Sequence, residues 1–364
     1  MLQTNKKRRI GWDLMRVLMT MTIFAFHFQG HVKLKFYIFD KYVSVGALCM
    51  TGFFMLSGAV TYYSRICKGN SVTKEWVFCS NRLLGLLPLY WIFLVWHIFH
   101  NYFSRKLLVM IPAELLGIQT FFFEVTAQPP NGGVWFISCL VIDIALFPYI
   151  YTVIKEFNKK YLFIFLIFLI FLDIYSVFVT ADLGFGELYH SPFIRFVQYS
   201  IGCTVSALLQ KRNTIKSNIF ALIWSVILSA LFVLIVSTMA HNKLFTQYSY
   251  THRLIAYDIV AVPYFVLMLW LLYDISFCKV FESIITFFNS LTYSFYLAQC
   301  MPAYTISLKT FESFGIQENS LRIFVSFAIN LFMSISIHFL VELPVVKYIR
   351  NWFSKKIDSI GITA

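Results

Sequence analysis

Residues 12–28 read WDLMRVLMTMTIFAFHF, an apolar run that carries Asp13, Arg16 and His27. A charge at the centre of a bilayer costs about 2.5–3.5 kcal/mol even on lenient insertion scales, so three ionisable groups in one such run mark a buried site that uses them. At 3.6 residues per turn, the spacing from Arg16 to His27 leaves them about 20° apart in azimuth and about 16 Å apart in height. Asp13, one turn before Arg16, joins the stripe. One helix face therefore carries a carboxylate, a guanidinium and an imidazole.

The rest of the chain sets this stripe in a membrane. Of 364 residues, 59% are hydrophobic and 13% charged, and 41 are phenylalanine. That composition excludes an ordinary soluble domain and fits an all-α integral membrane protein. The net charge of +13 does not argue for a nucleic-acid partner, because Lys and Arg fall in short clusters between apolar runs rather than along one face. The seven cysteines show no C-x-x-C spacing and fall mostly in apolar runs, so they read as small core residues, and no metal site is expected. The basic start, MLQTNKKRRIG, leads into a run interrupted by Asp13 and Arg16 with no A-x-A-like site after it, which reads as a retained first span.

Runs of about 20 apolar residues suffice to cross a bilayer as helices. Ten are expected, near 10–30, 42–64, 83–103, 134–154, 161–180, 192–210, 217–238, 254–273, 288–308 and 321–342. A further run at 107–123 is interrupted by Pro112 and Glu114. The excess of Lys and Arg in cytoplasmic loops decides whether it spans. If it does not, both termini face the cytoplasm, with nineteen basic residues inside and nine outside. If it spans, KEFNKK (155–160) and KRNTIK (211–216) move outside and the bias collapses. Residues 104–133 therefore read as an outer loop with a re-entrant or interfacial helix, ending in the turn-rich QPPNGG (128–133). No internal repeat or low-complexity linker divides the chain, so residues 1–364 read as one membrane domain with short cytoplasmic tails at 1–9 and 345–364.

Several groups then stand out as candidates. An imidazole takes a proton from a hydroxyl near neutral pH, which suits His27. A guanidinium holds a phosphate or carboxylate through paired hydrogen bonds, which suits Arg16 and Arg82. The bland readings are a helix-end polar cap for His27, an ion pair with Asp13 for Arg16, and a membrane-face anchor for Arg82. Gly52, Ser57 and Gly58 are small enough to let a helix or a ligand approach the backbone. Asp143, Arg195, Asp258, His338 and Glu342 fall in or beside spans; Asp143 is a cavity-lining candidate, Arg195 and Asp258 are candidates to pair, and Glu342 reads as a helix-end pair. Trp135 suits either a sugar ring or the lipid interface, and His97 and His100 read as interfacial.

These features, in order, resemble the acyltransferase 3 family of integral membrane acyltransferases. The resemblance rests on Arg16 and His27 at R-x10-H spacing within WDLMR, FFMLSG at 53–58, RLLGLLPLY from Arg82, GVWFIS at 133–138, YSFYL at 293–297 and ELP at 342–344. It implies transfer of an acyl group, usually acetyl from acetyl-CoA, to a hydroxyl of a surface glycan or glycolipid. It implies that His27 is the catalytic imidazole, Arg16 its partner steadied by Asp13, and Arg82, with Ser57 and Gly58, part of the donor site. Trp135, Asp143, Tyr293, Gln299 and Glu342 are expected to line the acceptor path or cavity. The family's R-x-x-R-x-x-P becomes R-x-x-G-x-x-P here, with Gly85 in place of the second arginine, and Gln299 stands where a histidine often follows YSFYL. The fused extracellular hydrolase-like domain of some relatives is not expected. The expected setting is a bacterial plasma membrane, with acetyl-CoA as donor substrate and no permanently bound cofactor. The rival readings are a proton-coupled transporter and a glycan export or polymerisation protein without acyl chemistry.

Overall fold

The computed structural model describes residues 8–68, 75–100, 105–122, 134–182, 188–212, 218–242, 244–245, 250–300 and 302–359. These residues form no strand, and the fold is all-α. Its longer helices are α1 (Ile10–His31), α2 (Cys49–Cys67), α3 (Glu75–Leu83), α4 (Leu87–His100), α5 (Arg105–Leu116), α6 (Trp135–Glu156), α7 (Lys159–Asp182), α8 (Pro192–Gln210), α9 (Asn218–His241), α10 (Tyr250–Ala256), α11 (Asp258–Leu271), α12 (Lys279–Cys300), α13 (Pro302–Phe314), α14 (Asn319–Ile337) and α15 (Leu343–Ser359).

Among the described residues, five helical stretches are long and apolar enough to cross a membrane: Glu75–Trp96, Trp135–Glu156, Lys159–Val179, Asn218–His241 and Asn319–Ser359. Tyr37–Val43 with Gly46–Cys67, bent by 49°, makes a sixth if counted as one broken span. The other expected spans also fall on helices. Of these, α1, α8 and α12 carry charged or polar side chains and α11 is short. Phe163, Ile167 and Phe171 on α7, and Ile223, Val226 and Leu234 on α9, are exposed, as on helices whose solvent is lipid.

Two regions bear on the hydropathy reading. The span expected at 288–308 falls on α12 (Lys279–Cys300) and α13 (Pro302–Phe314), which lie on either side of Met301, outside the described residues. The interrupted run at 107–123 becomes α5, with Pro112 inside it, followed by a tight 3-10 turn at Gln119–Phe122. Glu114 is buried there and accepts a hydrogen bond from the Tyr90 hydroxyl, which in turn accepts one from Gln119 Nε2 at 3.1 Å. The QPPNGG turn and the side chains of His97 and His100 lie outside the described residues.

The chain folds into two compact units, and neither is a contiguous half of the sequence. The first comprises Met1–Ile23, Ile38–Gly69 and Tyr149–Ser290; the second comprises Phe24–Tyr37, Asn70–Pro148 and Leu291–Ala364.

In the first unit α2 and α8 pack backbone to backbone. A Cβ on Gly58 would land on the Tyr199 carbonyl oxygen, and one on Gly202 on the carbonyl oxygen of Met55. The Cys203 thiol donates to the Gly58 carbonyl at 3.3 Å. Because the obstacle at Gly202 is backbone, no rotamer change relieves it. Gly202→Ala is therefore expected to lower stability by about 1–3 kcal/mol, as overpacking does. Gly30→Ala, where a Cβ meets nothing within 4 Å, serves as the control. Thermal unfolding in detergent, followed by size-exclusion chromatography, reads the difference, and equal midpoints for the two variants would refute it.

A buried ionic network ties α2, α7, α8 and α11 together in the same unit. Arg195, Gln198, Asp173 and Asp258 are all fully buried. Arg195 donates to the Tyr189 carbonyl through Nε at 2.9 Å and Nη2 at 2.7 Å, and through Nη1 to Gln198 Oε1 at 2.6 Å and Thr51 Oγ1 at 3.2 Å. Gln198 Nε2 donates to Asp258 Oδ2 at 2.8 Å and Asp173 Oδ1 at 3.0 Å, and Thr51 Oγ1 donates to Asp258 Oδ1 at 2.9 Å. Arg195 and Asp258 are thus linked through Gln198 and Thr51. Asp173, which completes the set, is a lone carboxylate in an apolar run, and that was its only sequence signal.

The same unit holds the start of α1. Trp12 Nε1 donates to the Leu269 carbonyl at 2.9 Å. Arg9 lies 3.7 Å from the centre of the Tyr273 ring and 3.3 Å from Asp274, which also takes Arg212 at 2.8 Å.

Candidate functional site

α1 is unbroken from Ile10 to His31, so Arg16 and His27 keep the shared azimuth that a regular helix dictates. Asp13 in its first turn pairs with Arg8. The Arg16 side chain is half-buried, and its carbonyl accepts the Thr20 hydroxyl at 2.9 Å.

The second unit fixes the far half of α1. Phe24 packs on Phe28 (ring centres 4.2 Å apart), Phe295 (5.7 Å) and Phe327 (5.9 Å). Just beyond the helix, Arg322 Nη2 donates to the Val32 carbonyl at 3.3 Å, and Asn319 exchanges hydrogen bonds with the Lys35 backbone at 2.8 and 3.0 Å. Held this way, the half-buried imidazole of His27 stacks on that of His31, with ring centres 6.0 Å apart and planes within 11°. His31 is exposed and stacks on Tyr304 at 4.9 Å and 15°. The result is a ladder of two imidazoles and a phenol whose middle member, His31, is exposed. The sequence reading named only its first member. The H-x3-H spacing of His27 and His31 was the available signal, since side chains four apart share a helix face. Tyr304 had none, because its place depends on where α13 starts.

Arg82 closes α3, half-buried with its guanidinium 5.8 Å from the centre of the Phe78 ring. In the turn that follows, the Gly85 N–H donates to the Arg82 carbonyl at 3.0 Å. The Tyr293 hydroxyl donates to the Leu86 carbonyl at 2.7 Å, fastening α12 to this turn. Arg350 Nη2 donates to the Asn81 carbonyl at 3.1 Å.

The second unit also contains Trp135, Asp143, Gln299 and Glu342, whereas Asp13, Arg16, Ser57 and Gly58 belong to the first. The structure places the remaining expected residues as follows. Gly58, assigned to the donor site, has its open face filled by the Tyr199 carbonyl, because two helix backbones meet there. Trp135 is buried at the start of α6 rather than set at a lipid interface, and Asp143 beyond it is fully buried. Tyr293, assigned to the acceptor path, commits its hydroxyl to a backbone carbonyl. Glu342 forms the expected helix-end pair, with Oε2 2.8 Å from His338 Nδ1 across a π-turn at His338–Glu342. Gln299 is fully buried, and neither amide atom has a hydrogen-bond partner among the described residues. A groove lined by Leu89, Ile92, Phe93, Pro302, Met333 and Val341 lies in the same unit. Its wholly apolar walls offer nothing to a phosphate or a sugar hydroxyl.

Residues 9–353 match the family model of the acyltransferase 3 type, described as an acyltransferase domain. The chain belongs to the acyltransferase 3 family. No curated protein and no solved structure matches it. The family match and the apolar helices together make this a membrane acyltransferase. In this acyltransferase the matched region takes in α1 with its His27, the Arg82 turn and the first part of α15.

Proposed function

We propose that this acyltransferase carries an acetyl group from cytoplasmic acetyl-CoA to a hydroxyl of a cell-surface or capsular polysaccharide, or of its lipid-linked precursor, in a bacterial plasma membrane. The observation that carries the reading is the half-buried His27 imidazole, on an unbroken apolar helix and stacked through His31 towards the surface. In a ten-span topology with cytoplasmic termini, the Arg82 turn faces the cytoplasm and His27 the outer half. Arg16 and Arg82 are permanent cations suited to the donor's phosphates. His27 accepts the proton of the acceptor hydroxyl as its oxygen attacks the thioester carbonyl. The carbon–sulfur bond then breaks, and the thiolate of CoA leaves and takes up a proton. His31, next on the ladder, receives the proton from His27 through intervening solvent, and Gln299 offers an amide to the acceptor.

Inverted membrane vesicles given acetyl-labelled acetyl-CoA test this directly. Label is expected in a glycan fraction, and its absence from every glycan and lipid-linked fraction would sink the reading. The buried Asp173, Arg195 and Asp258 network supports the rival transporter reading, since ionisable groups at membrane depth often carry protons or ions. Solute uptake without covalent transfer would establish that rival. Under the principal reading, His31→Gln slows transfer less than His27→Ala does, and free imidazole restores part of the lost rate. A His31→Gln rate equal to wild type would remove His31 from the proton path.

A further inference from the structure

The turn that ends α5 brings a buried carboxylate and a buried amide to one phenol. Gly117 makes the turn possible, with a φ of +67° that favours glycine. Its N–H donates to the Glu114 carbonyl at 3.0 Å, and the Ile118 N–H reaches back to the Ala113 carbonyl at 2.9 Å. Gln119 is thereby folded back beside Glu114. The Tyr90 hydroxyl, from α4, donates to Glu114 Oε2 and accepts from Gln119 Nε2 at 3.1 Å. Next in the chain, the Thr120 and Ser138 hydroxyls share a hydrogen bond of 2.9 Å, which fastens the turn to α6. Glu114 is fully buried and Gln119 is 2% exposed. Each keeps one oxygen in reserve: neither Glu114 Oε1 nor Gln119 Oε1 has a hydrogen-bond partner among the described residues. Tyr90 has already committed its single proton, so two acceptor oxygens flank one phenol with no donor for either. A phosphate or a carboxylate would add only more acceptors. A sugar ring brings two hydroxyl donors on one rigid frame.

The height of the pair fits the same ligand. Tyr90, Glu114, Gln119 and His27 all belong to the second unit, and in the ten-span topology α1, α4 and α12 run outward. Tyr293 on α12 is tied to the Leu86 carbonyl, and Phe295, about 3 Å further out, packs on Phe24 of α1. His27 then stands about 7 Å outward of Leu86, and Tyr90, whose N–H bonds the Leu86 carbonyl, about 6 Å. We propose that Glu114 Oε1 and Gln119 Oε1 form an acceptor subsite that takes two hydroxyls of a sugar ring at the depth of His27. The inference rests on the glycan reading above and names the groups of the acceptor that are held. It also gives the interrupted run at 107–123 a use, since Glu114 breaks the apolar pattern to meet a polar ligand.

The test uses the full-length protein in nanodiscs. Its acceptor probe is the glycan fraction that takes label in the vesicle experiment, stripped of esters by mild alkali. Rates are measured against acceptor and against acetyl-CoA concentration. Glu114→Gln keeps the side-chain shape and loses the charged acceptor. It is expected to raise the acceptor KM about 10- to 100-fold, the weight of a hydrogen bond to a charged group, with the donor KM unchanged. Gln119→Met, which removes a neutral acceptor, is expected to raise it about 3- to 10-fold. Thr120→Val breaks the neighbouring bond to Ser138, leaves both oxygens in place, and is expected to keep the wild-type acceptor KM. Apart from turnover, the stripped glycan is expected to raise the thermal midpoint of the wild-type protein and not that of Glu114→Gln. Unchanged acceptor KM in Glu114→Gln and Gln119→Met overturns the proposal and assigns the two oxygens to bound water. An equal rise in Thr120→Val also overturns it, since loosening the turn would then account for the loss. Should Glu114→Gln fail to fold, Gln119→Met decides alone. A wild-type protein that labels no glycan brings down the glycan reading and the subsite with it, whereas the other adverse outcomes remove the subsite only.

Discussion

Replacing His27 with alanine is expected to cut acyl transfer about 10²- to 10⁴-fold, the range supplied by a positioned general base. Protein abundance and thermal midpoint should barely move, because the imidazole is half-buried and its ring neighbours His31 and Phe26 remain. The fold of that region rests on Phe24, Phe28, Phe295 and Phe327, which the substitution leaves alone. The measurement is label incorporation by membranes containing equal amounts of wild-type and variant protein. If the glycan is acetylated at the wild-type rate, His27 has no part in the chemistry. A proportional loss of folded protein would instead assign it a structural role.

The second large effect is on stability. Arg195→Ala leaves a buried carboxylate pair and two polar side chains without the cation that organises them. Removing one partner of a buried ionic group costs about 3–5 kcal/mol, because the remaining charge stays desolvated and unpaired. Arg195→Lys is expected to rescue little. The native fork sends two N–H groups to the Tyr189 carbonyl and others to Thr51 and Gln198, a planar pattern that an ammonium cannot reproduce. Fluorescence-detected size exclusion after graded heating reads both variants. An Arg195→Ala protein as stable as wild type would show that the network contributes no net stability. A stable variant that has lost solute uptake would favour the transporter reading.

Much of the architecture was legible in the residue order. Helices occupy each apolar run, because a backbone in lipid must satisfy its own hydrogen bonds and a helix does so within one segment. The candidacy of Arg16 and His27 was legible for a related reason: an ionisable group in such a run is costly enough to stand out. Asp173 in its phenylalanine-rich run carried the same mark.

Partners were far less legible. Small residues at 52, 57 and 58 are equally suited to a ligand and to a helix, and only the position of Tyr199 decides for a helix at Gly58. Gly85 looked like a missing cation. In the structure the guanidinium of Arg350, which no local pattern links to residue 85, fills the space beside it. The Arg195 and Asp258 connection passes through Gln198 and Thr51, side chains with no charge to draw attention to them.

Hydropathy and helical periodicity are properties of neighbouring residues, so the linear order was enough to establish an all-helical membrane chain with a cation and an imidazole on one face of its first helix. Which groups meet is a matter of contacts between segments far apart in the chain, set by how helices approach and what fills the space between them. The placing of His31 against Tyr304, of Arg350 in the space at Gly85, and of Gln198 between two carboxylates was therefore decided only when the helices packed.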